Sequence, residues 1–199
     1  GRLECLTTPR LIIRTPWSPP SPAADPRPRL ELDPGVVFGN GLHPTTRDCL
    51  EALERLAADR FPETFLDLGT GTGILALAAL RLGARRGLAV DSNRLAAETA
   101  RANVRRNGLE GRLAVVQGRA EELVAGPAEL VIANLHFDAL ARVLEADGWP
   151  GKRVCILSGL LRSEAPRVLD RLASRGFGLR ERWVCDGVWH TFLGARPSR

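Results

Sequence analysis

Two hydrophobic periods alternate along this chain. From Thr64 onward, apolar runs of strand length fall at Phe65 to Leu68, Leu88 to Val90, Leu113 to Val116, Leu130 to Ala133 and Val154 to Leu157. Between them, Ile74 to Leu82, Leu95 to Asn107 and Ala165 to Arg175 carry their apolar residues at helical spacing. Such alternation predicts a parallel sheet with helices on both faces. Leu179 to Val184 and Trp189 to Leu193 flank Asp186-Gly187, a turn pair that predicts a closing antiparallel hairpin. The expected fold is α/β, Rossmann-like and seven-stranded.

Upstream of Thr64 the pattern is less regular. Leu11 to Ile13 reads as a short strand. Pro16, Pro19, Pro20, Pro22, Pro26 and Pro28 exclude helix and central strand, so that stretch reads as a stiff linker or wrapping arm. Leu30 to Leu32 is a brief strand ending in the turn Asp33-Pro34-Gly35. Cys49, Leu50, Leu53 and Leu56 predict a helix over Thr46 to Ala58, capped by Thr45 or Thr46. Residues 1–29 are thus an N-terminal strand and proline-rich arm, and residues 30–199 the main domain.

Composition narrows the class. At 199 residues, 44% hydrophobic and net charge +5, the chain has the bulk of one compact domain. No apolar run approaches the roughly 18 residues of a membrane helix, and Gly1-Arg2-Leu3-Glu4 lacks the build of a signal peptide. A soluble, cytoplasmic protein with no membrane partner is expected, and the missing initiator Met suggests a processed start. Cys5, Cys49, Cys155 and Cys185 contain no C-x-x-C pair, and with only His43, His136 and His190 no metal-ligand spacing arises. The cysteines read as reduced, mostly packed thiols. Lys152 is the single lysine, which reads first as biased coding composition.

Chemistry is written most densely in Leu66-Asp67-Leu68-Gly69-Thr70-Gly71-Thr72-Gly73-Ile74-Leu75, a strand running into three alternate glycines and a helix. Glycines allow a tight turn and close approach of backbone to a ligand. The dinucleotide fingerprint would need its third glycine at Ile74, so a nicotinamide-dependent oxidoreductase is disfavoured. Asp91 follows the next strand, where a carboxylate can accept from both hydroxyls of a ribose; as an alternative it caps the helix after it. Asn134 ends the run Leu130 to Ala133 and needs polar partners, which a substrate amine or a cofactor amino acid moiety would supply; its alternative is also a helix cap. His136 reads as an ordinary loop residue. Ser158 lacks a nucleophile elbow, and no G-K-[ST] is present for Walker-type phosphate binding.

The glycine run resembles motif I of S-adenosylmethionine (SAM) methyltransferases. Asp33-Pro34-Gly35-Val36-Val37-Phe38-Gly39-Asn40-Gly41-Leu42-His43-Pro44-Thr45-Thr46 resembles the D-P-G-x-x-F-G-T-G-x-H-P-T-T signature of PrmA, the methyltransferase family of ribosomal protein L11. Ile13-Arg14-Thr15-Pro16-Trp17, Ala133-Asn134-Leu135 and Leu157-Ser158-Gly159-Leu160-Leu161 extend the likeness over nearly the whole chain from Leu11. The resemblance implies a Rossmann-like methyltransferase sheet and SAM as cofactor. By position it puts cofactor contacts on Phe38, Gly39, Thr46, Gly69, Gly71, Asp91 and Asn134, with Asn134 also the candidate catalytic residue and no metal. Three departures stand out. Asn40 replaces the usual Thr. Arg119 stands where many SAM enzymes carry an acid for the adenine amine, so backbone groups or Glu121 would serve instead. The family carries an additional N-terminal recognition domain, whereas about ten residues precede Leu11 here, so the likeness is to the catalytic domain, in a truncated piece of such a protein or in a short relative with another target.

The implied function is N-methylation of protein amines, lysine or N-terminal, on a ribosomal protein such as L11. An RNA or small-molecule acceptor is the alternative, drawing on the basic segment Lys152 to Arg182, with 8 basic against 3 acidic residues. A further alternative is a non-catalytic SAM-binding domain. Oligomeric state, the number of methyl groups and the general base are not legible in the sequence.

Overall fold

The computed structural model describes residues 5–19 and 25–197. Gly1 to Glu4 and the middle of the proline stretch, Pro20 to Ala24, lie outside the described residues. Three short strands, β1 (Cys5–Thr7), β2 (Ile12–Arg14) and β3 (Arg29–Glu31), form a small sheet in which β1 runs antiparallel and β3 parallel to β2. Helix α1 (Pro44–Ala57) then leads into β4 (Thr64–Leu68), α2 (Ile74–Leu82), β5 (Arg86–Asp91), α3 (Arg94–Arg106) and β6 (Leu113–Gln117). The chain returns through α4 (Ala120–Leu123), β7 (Leu130–Asn134), α5 (Phe137–Glu145), β8 (Val154–Leu161), α6 (Ala165–Ser174), β9 (Gly178–Cys185) and β10 (Trp189–Ala195).

The main sheet has seven strands in the order β6-β5-β4-β7-β8-β10-β9. Strands β6 to β8 are parallel, and β10 runs antiparallel to both β8 and β9, as the Asp186-Gly187 turn requires. From β4 the chain steps outward to β5 and β6, then returns to β7 on the other side. That reversal opens a crevice above the C-terminal ends of β4 and β7, the position at which open α/β sheets bind ligands.

Each face of the sheet has its own core. Leu50 and Leu53 of α1, Leu75 and Leu77 of α2 and Val104 of α3 pack on one side; Leu140 and Val143 of α5 and Val168 and Leu172 of α6 pack on the other. Leu11 and Ile13 of the N-terminal arm, and Leu30 and Leu32 just after it, are fully buried in the first core with residues of α1 and α2. Cys49 and Cys155 are buried thiols, whereas Cys5 is exposed and Cys185 half-buried, so only two of the four are packed. Among the described residues no helix is long and apolar enough to cross a membrane, and no cluster of His, Cys, Asp and Glu could hold a metal ion.

Two asparagines, one in α3 and one at its C-cap, fasten the segment that follows the arm. Asn107 accepts from Glu31 N at 3.0 Å and donates to Glu31 O at 2.7 Å. Asn103, fully buried, accepts from Asp33 N at 2.9 Å and donates to Asp33 O and Thr72 O, each at 2.9 Å. One amide therefore joins the Asp33 turn to the glycine turn after β4. Asn103→Ala removes the partner of two backbone carbonyls and one N–H, of which Thr72 O is in the buried interior, and the expected loss of unfolding free energy is about 3 kcal/mol. A lowered denaturant midpoint at unchanged slope is the readout; a midpoint within error of the parent would refute the clamp.

The start of α1 corrects the sequence-based expectation. Pro44 is its first residue and His43 its cap, with Nδ1 accepting from Thr45 N, so neither Thr45 nor Thr46 caps it. Pro is favoured at a first helical position because its missing N–H would be unpaired there anyway, which moves the boundary two residues upstream. Helices α4 and α5 and strand β1 were not legible as elements.

Candidate active site

Everything at the mouth of the crevice is organised by the turn after β4. Gly69 N and Thr70 N both donate to Val90 O, at 2.8 and 2.9 Å, tying the turn to β5. Gly69 and Gly71 hold φ of +77° and +56°, which L side chains rarely adopt. A Cβ at Gly71 would lie 2.3 Å from Phe38 O, so the loop carrying Phe38 can seat on bare backbone. Thr72 fastens that loop, donating from N to Phe38 O at 3.1 Å and from Oγ1 to Gly39 O at 2.6 Å.

Two carboxylates face the turn. Asp91, at the end of β5, accepts from Gly71 N through Oδ2 and from Asn93 N through Oδ1, both at 2.9 Å. These bonds fix the carboxylate and leave lone pairs for the crevice. Asn93, not Asp91, caps α3. Asp67 is fully buried; its desolvation pushes its pKa up to about 7 against the 2.6 Å bond from Thr70 Oγ1, and Asp91 pushes it further in the same direction.

A cavity of 490 Å³ opens over these groups. At one end Gly69, Gly71, Val90 and Asp91 meet Gly118, Arg119 and Glu121. Glu121 is held by Arg119 at 2.6 Å and Arg142 at 3.2 Å, and its carboxyl sits below the ordinary value because its own backbone N–H, then these arginines, favour the anion. At the other end lie Phe38, His43, Thr45, Asn134 and Trp189. There Asn134 Nδ2 donates to Thr45 Oγ1 at 3.2 Å, and Thr45 Oγ1 stands 2.7 Å from His43 Nδ1. The His43 ring packs against Phe38 and edge-on against Trp189, with centroids 5.4 and 5.0 Å apart.

Of the residues singled out from sequence, Phe38, Gly69, Gly71, Asp91 and Asn134 line this one cavity, and His136 joins them at its wall. Gly39 is fastened behind it to Thr72. Thr46 does not line it: its hydroxyl is buried without a hydrogen-bond partner among the described residues, and Thr45 takes the place on the wall. Sequence reasoning missed Thr45, Gly159, Arg142 and Trp189. Thr45 and Gly159 lie inside motifs already noted, whereas Trp189 comes from β10, far along the chain, and only the sheet order brings it in.

The family model for ribosomal protein L11 methyltransferase (PrmA) matches residues 6–197. The chain belongs to that family. A ribosomal protein L11 methyltransferase of Gloeobacter violaceus is 41% identical over 194 residues, covering 93% of this chain and 57% of the relative. One from Pelotomaculum thermopropionicum is 42% identical over 183 residues, covering 90% and 58%. The chain therefore spans less than two thirds of the length of these curated relatives. A crystal structure of a ribosomal protein L11 methylase from Lactobacillus delbrueckii subsp. bulgaricus superposes with a TM-score of 0.83 at 28% identity, over 98% of this chain and all of that one.

The cavity fits the cofactor that the family resemblance implies. Its volume is within the roughly 300–1,000 Å³ of ordinary cofactor sites. A fixed carboxylate at the end of β5 suits ribose hydroxyls, and a glycine turn without side chains lets the cofactor lie against backbone.

Proposed function

We propose that this chain is the catalytic domain of a SAM-dependent N-methyltransferase that acts in the cytoplasm on amino groups of a protein, ribosomal protein L11 by analogy with its named relatives. The observation that carries the reading is the single cavity with Asp91 and bare backbone at one end and Asn134 within an aromatic wall at the other. SAM supplies an electrophilic methyl carbon on a sulfonium leaving group. The protein's own task is then orientation and desolvation.

Gly69, Gly71 and Asp91 hold the cofactor end, with the Phe38-Gly39 segment folded over it. Phe38, His43 and Trp189 line the other end of the cavity with packed rings, and such surroundings favour the neutral form of an entering amine. A free lysine titrates near about 10.4, so that shift matters. Asn134 offers an amide oxygen as acceptor for an amine N–H, aiming the nitrogen lone pair at the methyl carbon.

Asn134→Ala is expected to slow methyl transfer about 30-fold, the loss of one hydrogen bond to a group that becomes charged, with SAM affinity changed less than about threefold. Parallel losses in both would count against a substrate-facing amide. Transfer of labelled methyl from SAM into an extract of ribosomal proteins and RNA tests the reading itself. Protease-sensitive label in a small ribosomal protein supports it; ribonuclease-sensitive label moves the acceptor to RNA.

A further inference from the structure

If Asn134 receives the amine, as proposed above, its oxygen rather than its NH2 must face the cavity, and nothing in β7 itself decides which end does so. We propose that Thr45 decides it: the Thr45 hydroxyl is a positioning group that holds the Nδ2 end of the Asn134 amide and leaves Oδ1 as the end presented to the methyl acceptor. This inference rests on the methyltransferase reading.

A count of protons fixes the direction. His43 Nδ1 is the acceptor that caps α1, facing the Thr45 N–H at 3.4 Å, so that ring nitrogen carries a lone pair and no proton. The Thr45 hydroxyl owns one proton and, at 2.7 Å, is the nearer of the two donors that share this lone pair, so its proton points to Nδ1. Its oxygen can then only accept from Asn134, 3.2 Å away, and an acceptor selects the NH2 end of an amide. A turned amide would set two oxygens against each other with no proton between them. Opposite Nδ2, Oδ1 lies beside Gly159: a Cβ there would come within 3.2 Å of it, and Gly159 lines the cavity. Among the described residues Oδ1 takes no hydrogen bond.

Thr45 is itself held from beneath. Only 1% of it is exposed. Ser158 Oγ lies 3.5 Å from Thr45 O and 2.6 Å from Thr191 Oγ1, which donates to Asp48 at 3.1 Å. Ser158 and Asn134 are register partners across β8 and β7, so the same strand pair carries both the amide and the support of its clamp.

Thr45→Val keeps the shape of the side chain and deletes the hydroxyl; Thr45→Ser keeps the hydroxyl. In the protein without ligand, the side-chain NH2 signals of Asn134, identified by their absence in Asn134→Ala, should move in Thr45→Val and stay in place in Thr45→Ser. In the transfer assay, kcat of Thr45→Val should fall on the order of tenfold, with SAM affinity within about twofold, and Thr45→Ser should recover most of the rate. Added to Asn134→Ala, Thr45→Val should cost no more than about a further twofold, because a residue acting through another has nothing left to act on. Additive losses, a cofactor affinity that falls in step with kcat, or unmoved Asn134 signals would each overturn the assignment. A wild-type chain that methylates no acceptor while the signals move as expected would instead overturn the functional reading and leave the clamp standing.

Discussion

Asp91→Ala is expected to weaken SAM binding by about 100- to 1,000-fold in a calorimetric titration. Two contributions add. A carboxylate that accepts from both hydroxyls of a ribose forms two charge-assisted hydrogen bonds, each of about 1.5–2 kcal/mol. Asp91 also takes the N–H of Gly71 and that of Asn93, so its loss frees the turn on which the cofactor lies and the entry to α3. Asp91→Asn separates the two: its single amide oxygen can keep one backbone bond while the negative charge is gone, so its affinity should fall between parent and alanine variant. Buried Asp67 stays nearby in either variant, and it cannot substitute, because its carboxyl lies 1% exposed beneath Thr70. An alanine variant that binds SAM within about threefold of the parent would remove the ribose role from Asp91.

The parallel part of the sheet was legible because each strand is a short apolar run with a breaker beyond it, and β5 and β7 each end at a polar residue, Asp91 and Asn134, that reaches the crevice. Elements whose signal is short or borrowed were not. Helix α4 is a single turn with no buried residue, so no apolar period marks it. Helix α5 buries Leu140, Val143 and Leu144 at proper helical spacing, but its start, His136-Phe137, reads equally as the end of a ligand-facing loop. Strand β1 exists only through pairing with β2. At the site the same division holds. Gly69, Gly71 and Asp91 sit where local geometry demands their residue types, and sequence alone points to them. Thr45 and Thr46 are chemically identical neighbours, and only the helix start at Pro44 decides that the first faces the cavity. Trp189 reaches His43 because β10 inserts between β8 and β9, a long-range pairing with no local trace.

Gly71→Ala is expected to lower SAM affinity by about 100-fold or more while leaving the melting temperature within a few degrees of the parent. The new Cβ would meet Phe38 O at 2.3 Å, and the residue would have to keep a φ of +56°. Left-handed backbone costs an ordinary residue about 1–2 kcal/mol, and a backbone oxygen at that distance cannot be accommodated by a side-chain rotation. Relief comes from the side of the clash that is held more weakly. Gly71 lies between β4 and α2 and is tied through Asp91 to β5, in the rigid centre of the sheet. The Phe38 loop carries exposed Val36 and half-exposed Phe38, and Thr72 holds it by two hydrogen bonds. The loop therefore lifts and the sheet stays, which is why folding should be spared and binding lost. Loop displacement also withdraws Phe38 O from Thr72 N–H, so protection of the Thr72 amide against hydrogen exchange should fall in the variant while that of β4 and β5 is unchanged. If the melting temperature falls steeply and amides of β4 exchange as fast as that of Thr72, the strain has been taken up by the sheet, and the loop is a fixed part of the core instead of a cover fastened to it.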